Sequence, residues 1–117
     1  MPPDELTARL PAHLEASSII RRAEIDGGNA IVVARGDPDR GTLLLCIAHR
    51  GRHVAFLERQ LSDGAYAWQK VGPGANATPS DVDSWAQKRR RFDTDSWQIE
   101  LDVPAPERFI AETTAIG

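Results

Sequence analysis

The longest unbroken apolar run in the chain is Leu43 to Ala48, which suits a strand covered on both faces. Val54 to Leu61 is apolar but interrupted by Glu58, Arg59 and Gln60, as a strand with one partly wet face would be. Between them Arg50, Gly51 and Arg52 carry the glycine and the polarity of a tight hairpin, so the two segments read as an antiparallel pair at the centre of a sheet. Ahead of them, from about Pro11, Ala16, Ile19, Ile20 and Ala23 recur at helical spacing opposite Glu15, Arg21, Arg22 and Glu24, and Gly27 and Gly28 supply the stop. Ile31 to Arg35 is a short β-branched strand. The segment Gly36-Asp37-Pro38-Asp39-Arg40-Gly41 is turn chemistry leading straight into the central strand, which predicts that those two strands are neighbours.

Beyond the hairpin, Ser62-Asp63-Gly64 makes a second turn, and Tyr66, Trp68 and Lys70 alternate with Ala67, Gln69 and Val71 in a fourth strand. Thr78-Pro79-Ser80-Asp81 then combines a capping residue, proline at the first helical position and a carboxylate three residues past the cap. Val82, Trp85 and Ala86 give the helix an apolar face, and Lys88 to Arg91 place cations where its dipole favours them. Trp97, Ile99, Leu101 and Val103 alternate with Gln98, Glu100 and Asp102 in a half-buried strand that Pro104 ends, and Glu107 to Thr113 is a short terminal helix docked through Phe109 and Ile110. The order αββββαβα predicts an α+β domain: a largely antiparallel five-stranded sheet, a β-meander plus one C-terminal strand, with helices packed mainly on one face. That arrangement leaves Gln98, Glu100, Asp102, Glu58 and Gln60 on a wet face and sets both long helices over the other. Loss of Trp85 or Ile20 would then open a cavity costing about 2–5 kcal/mol. Residues 1–9 read as a flexible lead-in, 10–113 as the domain and 114–117 as a frayed tail.

Length and composition narrow the classes. A chain of 117 residues has room for one core, and 41% apolar with 26% charged residues is a globular rather than a disordered composition. The net charge of −3 argues against a dedicated nucleic-acid binder, though not against a local basic patch. Cys46 stands alone inside the apolar run, so no intrachain disulfide forms and the thiol reads as a small buried hydrophobe. The start of the chain has no apolar core of a signal peptide, and a six-residue run falls far short of the about 20 residues that span a bilayer. A cytoplasmic protein with no membrane partner is the expectation.

Chemistry-bearing residues are few. Gly72-Pro73-Gly74-Ala75-Asn76-Ala77 loosely matches a dinucleotide fingerprint, but it follows a meander and Pro73 removes an amide, so it reads as a connecting loop and no cofactor is expected. His49 and His53, facing each other across a three-residue loop, and Asp37 with Asp39 are weak metal candidates; solvated turn residues are the simpler reading of both. Ser17, Ser18 and Thr42 have no spacing that marks a nucleophile, and Glu100 with Asp102 reads as wet-face alternation. The one dense feature is Lys88-Arg89-Arg90-Arg91 beside Phe92, Asp93, Asp95 and Trp97. It is either a phosphate-contacting patch with rings for stacking, or a helix end with its cations paired to the aspartates and its rings turned inward. Arg21 and Arg22 extend the patch if the two long helices lie side by side.

The stretch Arg90-Arg91-Phe92-Asp93-Thr94-Asp95-Ser96-Trp97-Gln98-Ile99-Glu100 also resembles a family. Together with Arg9-Leu10, Ile20-Arg21-Arg22-Ala23 and Gly36-Asp37-Pro38-Asp39-Arg40-Gly41-Thr42, it is similar to a group of small uncharacterised bacterial proteins, mostly alphaproteobacterial, classed as a domain of unknown function. The likeness runs from about Arg9 to Phe109 and implies a domain extent and a cytoplasmic location, but no activity. The functional expectation is therefore a binding or adaptor module using Arg21, Arg22, Lys88, Arg89, Arg90, Arg91, Asp93 and Trp97 on a protein or anionic partner. The alternatives are an RNA-associated protein using the same patch and an enzyme whose site has no motif. A homodimer through Val54, Phe56 or Trp68 on the sheet face is a further possibility.

Overall fold

Two glycine-bearing hairpins set the central geometry. Arg50 and Gly51 have φ of 52° and 79°, and Asp63 and Gly64 have 52° and 80°, in each case the backbone of a two-residue turn whose twist matches the flanking strands. In the computed structural model, which describes residues 10–116 without the side chains of Ser62 and Ile116, these turns join β2 (Leu43–His49) to β3 (Arg52–Ser62) and β3 to β4 (Ala65–Val71). Before them come α1 (Ala12–Ile25) and β1 (Asn29–Ala34); after them come α2 (Pro79–Phe92), β5 (Trp97–Asp102) and α3 (Pro106–Ile116). The domain is α+β in the order αββββαβα. The expected lead-in of residues 1–9 lies outside the described residues. At the other end α3 continues helical to Ile116, three residues past Thr113, with the Thr114 hydroxyl donating to the Ile110 carbonyl.

The sheet order is β1-β5-β2-β3-β4, antiparallel throughout except where β5 runs parallel to β2. The expected β1–β2 pairing is therefore corrected: β5 lies between them. The turn-rich segment after β1 does not close a hairpin but pairs with the loop entering β5, as the Asp37 amide donates to Asp95 O at 2.9 Å and the Trp97 amide to Thr42 O at 2.8 Å. A parallel neighbour needs a long crossover, and β3, β4 and α2 together provide it between β2 and β5.

The faces also differ from expectation. Leu43, Leu45, Ile47, Leu57, Ile99 and Leu101 share one face with Ala12, Ala16 and Ile19 of α1 and Phe109 and Ile110 of α3, and this is the main core. Ile20 packs against its margin. The buried Glu15 of α1 and Arg59 of β3 pair across this layer at 2.6 Å. Helix α2 lies on the opposite face, where the wet side was expected: Gln98 and Glu58 are 3% and 6% exposed, and Glu100, Asp102 and Gln60 are half-buried. Trp85 accordingly covers this second face instead of filling the main core. Phe56 and Trp68, two of the residues that would form a dimer face, are 1% and 4% exposed and packed inside the protomer. Among the described residues no helix is long and apolar enough to cross a membrane.

Candidate functional site

Helix α2 starts where its sequence says it should. Thr78 accepts the Asp81 amide at 3.1 Å and Pro79 occupies the first turn. None of its 14 residues is fully buried, so it rests on the sheet through a few contacts rather than through a core. The Trp85 ring lies 4.6 Å from Phe56 at 35°, the Gln98 amide donates to the Ala86 carbonyl at 2.8 Å, and Arg89 pairs with the buried Glu58 while lying 5.5 Å from the Trp85 ring. Gly72 makes room for this: its φ is +64°, and a Cβ there would sit 2.5 Å from a Trp85 ring carbon. The first glycine of the Gly72–Ala77 loop thus seats a tryptophan.

The structure splits the predicted binding set. Arg89 is used to attach the helix, whereas Lys88, Arg90 and Arg91 point to solvent with no acidic partner among the described residues. Phe92 beside them is 89% exposed. Asp93 ends the helix, its amide donating to Arg89 O and its carboxylate accepting the Asp95 amide at 3.0 Å, and neither aspartate pairs with these arginines among the described residues. Trp97 is not a stacking surface: it is 3% exposed and its indole N–H donates to Asp37 O at 2.8 Å. Arg21 and Arg22 do not extend the patch, because α1 and α2 cover opposite faces. Arg21 faces solvent, and Arg22 lies 4.2 Å over the Phe109 ring, donates to the Thr113 hydroxyl and has its pKa lowered by burial.

The metal candidates are also separated. The hairpin loop holds two residues rather than three, so His49 pairs with Arg52, and an irregularity at Ile47/Ala48 sets His53 opposite Ala48. The two rings end on opposite faces, His49 donating from Nδ1 to Val103 O at 2.9 Å and His53 from Nε2 to Pro73 O at 3.0 Å. The Asp37 carboxylate accepts the Asp39 and Arg40 amides at 2.9 and 2.7 Å, and those bonds, Arg40's first, hold its pKa below the usual range. It is a turn residue. No group of three or more metal-ligating side chains occurs among the described residues.

What the sequence pattern did not reveal is a cleft of about 370 Å³ between α2 and the uncovered part of the second face. Cys46, Gln98 and Glu100 floor it, Val82 and Asp83 wall it, and Arg52 and His53 stand at its rim. Burial, with the Glu100 charge adding to it, pushes the Cys46 thiol up to about 12, so it stays protonated and is no nucleophile. Alternation had marked Gln98 and Glu100 as wet because a period of two reports two unlike faces, not which of them is covered. The small residues Ala75, Ala77 and Ala86 along the same rim were the available signal, since they leave the space unfilled.

Fold and site together define a small single-sheet α+β domain with a lightly held helix over the second face of its sheet. The chain belongs to the family described as "Protein of unknown function (DUF1491)", whose model matches residues 10–111. It is similar to the crystal structure of a DUF1491 family protein from Caulobacter crescentus CB15, with a TM-score of 0.75 and 23% identity over 87% of this chain and 94% of that one. An NMR structure of a DUF1491 family protein from the same organism gives 0.67 and 28%, covering 81% and 87%. The solution structure of protein Atu0922 from A. tumefaciens gives 0.67 and 22%, covering 81% and 86%. No curated protein matches the chain. The alphaproteobacterial resemblance drawn from the Arg90 to Glu100 segment therefore holds.

Proposed function

We propose that the protein is a small cytoplasmic binding module whose working surface is the C-terminal end of α2, where Lys88, Arg90, Arg91 and Phe92 take an acidic segment of another protein. The observation that carries this reading is Phe92, 89% exposed and set beside Lys88, Arg90 and Arg91, which have no acidic partner among the described residues. Burying such a ring in a partner is worth about 1.5–3 kcal/mol, and the cations steer an acidic partner and fix its register. A single cysteine kept as a protonated thiol suits a reducing compartment. A protein partner is favoured over RNA because single-stranded nucleic acid is held on successive stacking rings. Here Trp97 is turned inward, leaving one ring, and the net charge is −3.

Replacing Phe92 by the photo-crosslinker p-benzoylphenylalanine in the native host tests this, with the exposed Tyr66 replaced in the same way as control. The expected result is a discrete protein adduct at position 92 that disappears when Arg90 and Arg91 are also changed to glutamate. A nuclease-sensitive adduct would replace this reading with the RNA one. Adducts equal to those at position 66 and indifferent to charge reversal would overturn both.

A further inference from the structure

Three polar side chains project from β5 onto the second face of the sheet, and two of them have their work assigned. Gln98 donates to Ala86 O and holds α2, and Asp102 accepts the amides of Arg50 and Gly51 at 2.9 and 2.7 Å and holds the central hairpin. Glu100, between them, is half-buried, flanked in the sheet by Ile31 and Cys46, and makes no hydrogen bond or ion pair with any described residue. A half-buried carboxylate with no partner in the chain is available to a cationic group from outside it.

Its surroundings say what that would be. The cleft is within the about 300–1,000 Å³ of small-molecule sites, and Val33, Ala48, Phe56 and Val82 supply apolar walls. Carboxylates outnumber cations among its lining side chains. Asp83 and Glu100 both line it, and His53, donating from Nε2 to Pro73 O, keeps Nδ1 as an acceptor when neutral. The one cation, Arg52, stands exposed at the mouth. The proximity of the Glu100 charge is felt by the Cys46 thiol, whose ionisation it opposes. We infer that this cleft is a binding site for a small ligand carrying a protonated amine on an apolar body, with Glu100 as its counter-ion. An anionic ligand would meet two carboxylates, and a purely apolar one would leave Glu100 unpaired.

The site is independent of the Phe92 surface and is tested on the isolated full-length protein. Phenethylamine, phenethyl alcohol and 3-phenylpropanoate, matched in shape and differing in charge, are titrated while backbone amide NMR signals are followed. The expected result is saturable shifts at Cys46, Gly51, Asp83 and Glu100 with the amine, with a dissociation constant of about 1 mM or below as suits so small a ligand, and weaker shifts with the other two. Glu100→Gln should weaken amine binding about tenfold or more, the size of a lost charge-assisted contact. Val82→Phe should block it by filling the wall while leaving the carboxylate in place. Equal binding of the three probes, preference for the carboxylate, undiminished amine binding by Glu100→Gln, or no saturable shift at these amides would each overturn the inference.

Discussion

Replacing Trp85 by alanine should release α2 from the sheet without unfolding the domain. A fully enclosed tryptophan buries on the order of 200 Å². Trp85 is half-buried, so about 100 Å² at about 25 cal/mol per Å² gives about 2.5 kcal/mol, and its tilted pairing with Phe56 adds about 1 kcal/mol. The remaining attachments are weaker. The bond from Gln98 to Ala86 O is worth about 1 kcal/mol. The Arg89–Glu58 pair is worth about as much, because the Arg89 side chain is 43% exposed and screened by water. More than half of what holds α2 is therefore the one ring, and an isolated helix of this length is marginal in water. Native-state hydrogen exchange is the assay: in Trp85→Ala the amides from Val82 to Arg91 should lose protection by a factor of about a hundred or more, the equivalent of about 3 kcal/mol. The amides of β2 and β5 should stay protected. Phe109→Ala, which empties a position 1% exposed in the main core, should cost about 3–5 kcal/mol and lower protection everywhere. If Trp85→Ala lowers protection of α2 and β2 equally, or leaves α2 unchanged, the division into a main core and a lightly held helix is refuted.

Three further outcomes follow from the same geometry. Gly72→Ala should cost about 2–3 kcal/mol in urea unfolding, combining left-handed strain with displacement of the Trp85 ring. Gly74→Ala, with nothing near its Cβ position, should stay within about 0.5 kcal/mol. Asp37 has a folded pKa below its ordinary 3.8, so its contribution is present above that value and lost as pH falls through the folded one. The difference in melting temperature between wild type and Asp37→Ala should therefore be full at neutral pH and shrink with acidification below about pH 4. Cys46, with its thiol pushed up to about 12, should resist an aromatic disulfide reagent at pH 8 in the folded protein and react at once in denaturant.

Local patterns carried most of the secondary structure, because each element begins and ends on residues with one strong preference: Thr78 and Pro79 at a helix start, Gly27 after a helix end, and Gly51 and Gly64 in tight turns. The covered strand Leu43–Ala48 was legible for the same reason, being apolar in both phases. The two hairpin pairings were legible too, but the place of β5 between β1 and β2 was not. Nothing in β5 distinguishes a central strand from an edge, since alternation of Trp97, Ile99 and Leu101 with Gln98, Glu100 and Asp102 records only that the two faces differ. The choice was made by long-range bonds from Asp37 and Thr42 to the segment entering β5, which no window of sequence contains. The candidate site suffered from the same blindness. Four consecutive cations were visible, but which of them faced the sheet depended on where α2 docked, and the cleft exists only because α2 crosses a face that looked solvated.

The docking of α2 explains why those cations divide as they do. Val82, Trp85, Ala86 and Arg89 recur at three- and four-residue steps and so share one stripe, which is the stripe turned to the sheet. Below it the sheet offers Glu58 and Gln98 rather than leucines. An apolar contact tolerates rotation of a helix about its axis, because one methyl packs nearly as well as the next. A buried carboxylate does not, because turning Arg89 away leaves Glu58 without its cation and turning Ala86 away leaves the Gln98 amide without its acceptor. The polar face therefore fixes the phase of α2. With Arg89 held inward, Lys88, Arg90 and Arg91 turn outward around it, and Phe92, next along the stripe, is left exposed where the helix ends, while Val82 and Asp83 border the cleft toward the other end. The buried acid and amide of the sheet thus position both exposed features without belonging to either.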